Sequence, residues 1–209
     1  LADVAPSTDE LAYAQHERGF ALHSMRSPGV SRLYIQVDPS EKIDDWSNAR
    51  IWSELHVRLA TEGWELTEGP VTEKLITPMR SFVAAPMRHG RLLLAGDAAH
   101  IVLPTGAKGL NLAVADVTVL AEALTEHFRG LSDAGLDEYS DRCTTRVWRA
   151  QHFSWWMTTM LHQDPGADEY GRELQRSQLR YTCASEAAMT SLAENYVGLR
   201  LQETAVNRG

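Results

Sequence analysis

The stretch from residue 91 to residue 124 constrains the fold of this chain most strongly. It opens with an almost wholly apolar run, Arg91 to Asp97, which predicts a short buried strand ending in an acid. Ala98 to Gly109 is rich in Gly, Pro and small residues. Leu110 to Leu124 then has the apolar spacing of a largely buried helix. This order brings a carboxylate and the free N–H groups of a helix start into one region.

A β-hairpin is predicted nearer the beginning of the chain. Two strand-like runs flank Ser27-Pro28-Gly29, and Pro-Gly is strong turn chemistry. Because side chains two residues apart share a face, Ser24 and Arg26 are expected on one side of the first strand. Arg32 and Tyr34 are likewise expected together on the second strand.

Helices are predicted on both sides of the central stretch. Residues 44–60 have helical spacing, with Asp44 or Asp45 as the cap, and this helix is expected to cover the sheet. Two long helices follow at 136–162 and 168–194. The aromatic residues of the first, at helical spacing, are more typical of packing than of ligand binding; they are Trp148, Phe153, Trp155 and Trp156.

The predicted fold class is α+β. A mixed or antiparallel substrate-binding sheet with its covering helix is expected over residues 1–95. A loop and helix follow over 96–125, and a mainly helical region, suited to an interface, over 126–209.

Composition narrows the possible partners. With 44% apolar residues and a net charge of −8, the chain is expected to fold around a core and not to bind nucleic acid. Cys143 and Cys183 form no CxxC pair, so both are expected to be reduced thiols, without a metal. No run approaches a membrane span and the first residues lack a signal-peptide pattern, so a cytoplasmic protein with a small-molecule partner is predicted.

The loop after the predicted strand offers two kinds of polar group. Asp97 can accept hydrogen bonds from ribityl-type hydroxyls, and the helix start can donate N–H groups to an electron-rich ring edge. The alternative is an ordinary strand-turn-helix corner whose glycines only make the turn. His100 has no metal-ligand pattern beside it and is not assigned as a ligand.

Residues 96–111 resemble the second flavin-binding segment of the FAD-dependent aromatic-ring hydroxylases. The run Gly106-Ala-Lys-Gly-Leu-Asn111 is most similar to the branch that acts on 4-hydroxybenzoate. The resemblance extends over nearly the whole chain. It includes Tyr13, the segments Arg18 to Leu22, Arg80 to Phe82 and Phe153 to Thr158, and the segment Glu194 to Leu199.

The resemblance implies a substrate site on the hairpin. The planar guanidinium group of Arg26 can donate two parallel hydrogen bonds to a carboxylate. Ser24 and Tyr34 each add a hydroxyl donor. By resemblance these three hold the substrate carboxylate, and Arg32 lies near the flavin. The alternative for both arginines is solvated surface charge.

The resemblance also implies a proton relay between Tyr13 and Tyr196, which removes the phenolic proton of the substrate. Without it, each tyrosine would be a core residue with a satisfied hydroxyl. Pro104 resembles the family position whose main-chain carbonyl accepts a hydrogen bond from the substrate hydroxyl. Thr105, the next residue, is expected in the same substrate site. The family has two adjacent prolines where this chain has Leu103-Pro104, which removes one fixed φ angle and predicts a more mobile loop.

The implied cofactors are FAD and, as reductant, NADPH or NADH. Arg80 resembles an arginine that contacts the nicotinamide cofactor. The other positions that resemble cofactor-binding residues are Asp97, Gly106, Lys108, Gly109, Leu110, Asn111 and Arg32.

The resemblance implies a flavoprotein monooxygenase that converts 4-hydroxybenzoate to 3,4-dihydroxybenzoate with O₂ through a flavin hydroperoxide, as a homodimer. No GxGxxG is present, so the Rossmann-type FAD unit that opens this family is expected to be absent and the chain to be a partial, inactive enzyme. Two alternatives remain: a sibling hydroxylase for another hydroxybenzoate, and a non-catalytic domain that binds aromatic acids.

Overall fold

A computed structural model describes residues 1–198 of the chain. The chain divides into two compact units, the first made of Leu1–Pro78 with Thr159–Leu179 and the second of Met79–Thr158 with the chain from Arg180 onward. Leu199 of the last family-like segment, and residues 199–209 of the predicted helical region, lie outside the described residues. The predicted regions 1–95, 96–125 and 126–209 stay predictions.

Unit 1 contains a three-stranded antiparallel sheet of β1 (Ala12–Ala14), β2 (Ala21–Ser27) and β3 (Val30–Ile35), with β2 in the centre. The predicted hairpin is therefore confirmed. Its register shifts between Met25 and Ser27, which marks a β-bulge at Arg26. The alternation that placed Arg26 beside Ser24 ends at this bulge.

Helix α1 (Asn48–Arg58) covers one face of this sheet, as expected. Its buried Trp52 and Leu55 pack in one cluster with Ala21, against Leu33 and Ile35. The predicted cap was wrong. Residues 43–45 form a separate 3-10 turn, and Ser47 caps α1 by accepting a hydrogen bond from the Arg50 N–H group. An extended residue with a side-chain oxygen at this position satisfies a donor that the helix leaves unpaired.

Unit 2 contains two short antiparallel pairs, β4 (Phe82–Val83) with β7 (His100–Ile101) and β5 (Arg88–His89) with β6 (Leu92–Leu93). The predicted strand at 91–97 is thus only two residues long, and it is not buried, because Leu92 is 60% exposed. Asp97 lies beyond it, in the 3-10 turn Gly96–Ala98.

The remaining helices are α2 (Gly109–Phe128), α3 (Ala134–Leu161), α4 (Glu169–Ala184) and α5 (Glu186–Val197). The predicted helix 168–194 is two helices. Ser185 takes an extended backbone conformation and its hydroxyl caps α5 by accepting from the Ala188 N–H group. The end of α3 and the first part of α4 belong to unit 1.

Burial along the helices differs from the sequence prediction. The α2 side chains Leu110 and Val114 are 78% and 55% exposed, so this helix is not largely buried. In α3, Phe153 is buried as predicted, but Trp148 and Trp155 are more than half exposed. Helical spacing identified the helices, whereas burial depended on which faces other elements cover.

Candidate functional site

One face of the unit 1 sheet brings together four residues assigned to the site. Tyr13 pairs with Leu22 and Leu22 with Tyr34, so these three side chains form a row across the sheet. Ser24 and Arg32 pair directly in the next row on the same face. This face is opposite the one that packs against α1. The sheet therefore carries hydroxyl groups and a guanidinium group on a single surface.

Arg32 and Tyr34 also contact each other along β3. The guanidinium carbon of Arg32 lies 5.1 Å from the centre of the Tyr34 ring, within the range of a cation–π interaction. Arg26 is exposed at the bulge next to this face. Bulges commonly redirect a side chain at a binding site.

Tyr13 adjoins a buried aromatic stack. Its ring centre lies 6.0 Å from that of Phe20, and Phe20 stacks on His162 at 4.4 Å. Burial lowers the pKa of the His162 imidazole to about 4, because the charged form loses water there.

In unit 2 the predicted flavin loop begins at Gly96, which has a positive φ of 59°. A Cβ atom here would lie 3.2 Å from the Cβ of Ala113, so glycine lets the loop approach α2 closely. Asp97 follows with an exposed side chain. Its carboxylate is available to hydroxyl donors.

The 3-10 turn Pro104–Gly106 is held against α3. The Thr158 hydroxyl bonds to the Thr105 hydroxyl at 2.9 Å. A Cβ atom on Gly106 would overlap the Ser154 Oγ atom, so only glycine fits. The Pro104 carbonyl accepts from the Ala107 N–H group at 2.9 Å, and a carbonyl oxygen can accept a second donor.

Lys108 and Tyr196 are close together within unit 2. The Lys108 ammonium group donates to the main-chain carbonyl of Tyr196 and lies 5.3 Å from the ring centres of both Tyr196 and Phe153. Lys108 is only 7% exposed, and burial lowers the pKa of its ammonium group. Tyr13 and Tyr196 lie in different units, and their relay stays a prediction.

The start of α2 fits the donor set that a flavin requires. Gly109, Leu110 and Asn111 form its first turn, and the side chain of Lys108, the residue at the cap position, makes no capping hydrogen bond within the described part of the chain. Their N–H groups point out of the helix start, where the helix dipole also favours electron-rich atoms. With the exposed Asp97 carboxylate, these donors suit the ring edge and the hydroxyl chain of FAD. Arg80 is exposed, and its predicted contact with the nicotinamide cofactor stays a prediction.

Two basic residues next to this loop were not predicted from the sequence. Arg146 and Arg149 of α3 line a small cavity of about 70 Å³ together with Lys108, Asn111 and Asn195. Their spacing of three residues puts them on one face of a helix, which was the available signal.

The model of an FAD binding domain family matches residues 1–154. The chain belongs to this FAD-binding family. It is 54% identical over 200 residues to the p-hydroxybenzoate hydroxylase of Acinetobacter baylyi, a match that covers 95% of this chain and 50% of that enzyme. It is 52% identical over 58 residues to the para-nitrophenol 4-monooxygenase of a Pseudomonas species, covering 27% of this chain and 14% of the relative. The chain spans half or less of the length of these relatives.

Solved structures share its fold. The Diels-Alderase PyrE3 matches with a TM-score of 0.68 at 24% identity, over 95% of this chain and 43% of that one. The p-nitrophenol 4-monooxygenase PnpA of Pseudomonas putida matches with a TM-score of 0.66 at 23% identity, over 92% of this chain and 56% of that one. The expectation that an opening dinucleotide-binding unit is absent is not confirmed, since the FAD-binding match covers residues 1–154. Among the described residues, no helix has the length and apolarity needed to cross a bilayer.

Proposed function

We propose that this chain supplies the substrate face and the flavin-contacting loop of an FAD-dependent hydroxylase that converts 4-hydroxybenzoate to 3,4-dihydroxybenzoate. The observation that carries the proposal is the single sheet face with Tyr13, Ser24, Arg32 and Tyr34. The 54% identity to p-hydroxybenzoate hydroxylase supports the same substrate. We further propose O₂ and NADPH or NADH as co-substrates, a homodimer, and a cytoplasmic location.

In this proposal the hairpin binds the carboxylate of the substrate. The guanidinium group of Arg26 can donate two parallel hydrogen bonds to it, and the hydroxyls of Ser24 and Tyr34 add single donors. Arg32, beside Tyr34, sets the position of the cofactor ring. Binding the carboxylate at this end fixes the direction in which the phenol points.

The phenolic end is activated by removal of its proton. The Tyr13 hydroxyl accepts this proton as it donates its own to the Tyr196 hydroxyl, which releases a proton to solvent in turn. The phenolate so formed attacks electrophilic oxygen far better than a phenol does. The Pro104 carbonyl, with Thr105 beside it, accepts a hydrogen bond from the substrate hydroxyl.

The flavin loop holds the cofactor. Asp97 accepts hydrogen bonds from the hydroxyl chain of FAD, and Gly106, Lys108 and the first turn of α2, residues 109–111, contact its ring. FAD, when bound, supplies the redox chemistry that activates O₂. Arg80 contacts the nicotinamide reductant.

Titration of 4-hydroxybenzoate into the full chain tests the carboxylate site. We expect Arg26→Gln to weaken binding by about tenfold or more, because a hydrogen bond to a charged group contributes about 1.5–3 kcal/mol. Arg91→Gln, at an exposed arginine of unit 2 that has no predicted role in the site, is the matched control and is expected to bind normally. Equal affinities for the two variants would argue against the proposed site.

A hydroxylase for another phenol is the second candidate, favoured by the 52% identity to para-nitrophenol 4-monooxygenase over 58 residues. Small changes in a pocket shift substrate choice more readily than reaction class. Tighter binding of 4-nitrophenol or of another hydroxybenzoate isomer than of 4-hydroxybenzoate would favour it. Binding without flavin reduction would instead indicate a non-catalytic domain for aromatic acids.

A further inference from the structure

A buried hydrogen bond between a histidine and an aspartate lies next to the loop that starts at Gly96. The Nε2 atom of His100 is 2.6 Å from Oδ2 of Asp116, and both side chains are 1% exposed. Because a carboxylate only accepts hydrogen bonds, the Nε2–H group donates to it. Burying polar groups is costly unless they are hydrogen-bonded, so the partners of this carboxylate matter for the local structure.

The same carboxylate oxygen accepts a second donor from the loop. The Gly96 N–H group donates to Oδ2 of Asp116 at 3.0 Å. Gly96 and His100 lie on either side of Asp97 in the sequence. A single oxygen on α2 therefore fixes both ends of the short segment that presents the Asp97 carboxylate.

Neighbouring contacts restrict how far Asp116 itself can move. The thiol of Cys143 on α3 lies beside it, and burial together with the charge of Asp116 raises the pKa of that thiol to about 12. Tyr139, also on α3, donates its hydroxyl to the Leu94 carbonyl at 2.7 Å. The carboxylate thus sits between α3 and the loop in a closely packed region.

We propose that Asp116 is a positioning residue for cofactor binding: it holds Gly96 and His100 so that the Asp97 carboxylate stays presented to the hydroxyl chain of FAD. This inference rests on the proposed role of Asp97. Asp116 does not touch the cofactor in this scheme. It acts through the geometry of residues 96–100.

Two substitutions separate the hydrogen bonds from the packing. Asp116→Asn keeps one acceptor oxygen at nearly the same volume, so it can still hold Gly96. Asp116→Leu introduces an apolar side chain with the same branching at Cγ, which accepts no hydrogen bond. Val147→Ala is the matched structural control, since Val147 is fully buried in unit 2 but packs in a different cluster, with Leu112 and Ala150.

Amide hydrogen exchange at Gly96, followed by NMR, and titration with FAD are measured on the full chain of each variant. We expect Asp116→Leu to speed exchange at Gly96 and to weaken FAD binding, each by about tenfold, the effect of one lost hydrogen bond. Asp116→Asn is expected to stay within about threefold of the wild type in both measurements. Val147→Ala should lower thermal stability without speeding amide exchange at Gly96 more than at other residues.

The inference is overturned if Gly96 stays protected in Asp116→Leu, or if FAD affinity falls no further than in Val147→Ala. Should Asp116→Leu not fold, His100→Phe replaces it, because this variant keeps a ring at the position but removes one donor to Asp116. FAD affinity that falls no further in His100→Phe than in Val147→Ala would then overturn the inference. If the wild-type chain binds no FAD, the proposed role of Asp97 fails. Exchange at Gly96 then still shows whether Asp116 holds the loop.

Discussion

His162 makes the stability of unit 1 depend on pH. Its imidazole, stacked on Phe20, has its pKa lowered by burial from 6.5 to about 4. The unfolded chain takes up this proton near pH 6.5, whereas the folded chain resists it until about pH 4. The free energy of unfolding therefore falls as the pH is lowered through this range.

Replacing this imidazole tests the effect. We expect His162→Phe to have a flatter dependence of unfolding free energy on pH than the wild type between pH 6.5 and pH 4, measured by urea denaturation. Both proteins carry the same carboxylates, so the difference between their curves reports on His162. His89→Gln, at an exposed histidine, controls for the loss of an imidazole. Parallel curves for wild type and His162→Phe would contradict the prediction.

The two thiols should react at very different rates. Cys143 is 3% exposed, and its raised pKa, about 12, leaves almost no thiolate at neutral pH, whereas Cys183 is exposed. We expect a disulfide reagent to label Cys183 rapidly and Cys143 only after denaturation. Cys183→Ser should abolish the fast phase. Rapid labelling of both thiols in the folded protein would show that Cys143 is accessible.

At the scale of single elements, α1 depends on its cap. We expect Ser47→Ala to lower the free energy of unfolding by about 1 kcal/mol, because the Arg50 N–H group loses its acceptor. Ser53→Ala is the matched control: Ser53 is an exposed residue inside the same helix, where alanine is the better helix former. Chemical denaturation of both variants checks the prediction. Equal destabilisation would mean that the Ser47 hydroxyl does not act as a cap.

The sequence predicted which helices and strands exist better than it predicted where they begin and end. Turn chemistry and two-residue alternation are local, so the hairpin of β2 and β3 was found. The bulge at Arg26 was missed because it depends on how the two strands align. The break at Ser185 was also missed, since helical spacing continues through it on both sides.

At the scale of the whole molecule, exposure was the least predictable property. Helical spacing shows which side chains share a face but not whether another element covers it. Leu110, Trp148 and Trp155 fit a buried pattern and yet are exposed. Whether such a side chain is buried depends on where the other helices and strands lie.

The candidate site shows the same limit. The hairpin predicted which side chains share a face within each strand. The pairing of Ser24 with Arg32 needed the register of the two strands, and the alignment of Tyr13 with Tyr34 needed that of a third strand. Asp116 was missed altogether. The available indication was a carboxylate within an otherwise apolar helical run. A carboxylate buried there requires a hydrogen-bond partner, and the sequence does not show which residue that partner is.

The two-part construction of unit 1 has a consequence for synthesis on the ribosome. Gln36 accepts from the Gln163 N–H group and donates to the Gln163 carbonyl, across 127 positions of sequence. The sheet segment emerges early, but Thr159–Leu179, which completes the unit, is translated only after the intervening part of unit 2. Synthesis at about 5–20 residues per second means that the nascent sheet lacks those partners for roughly 6–25 s. During that interval its apolar surface is exposed to chaperones and to other nascent chains.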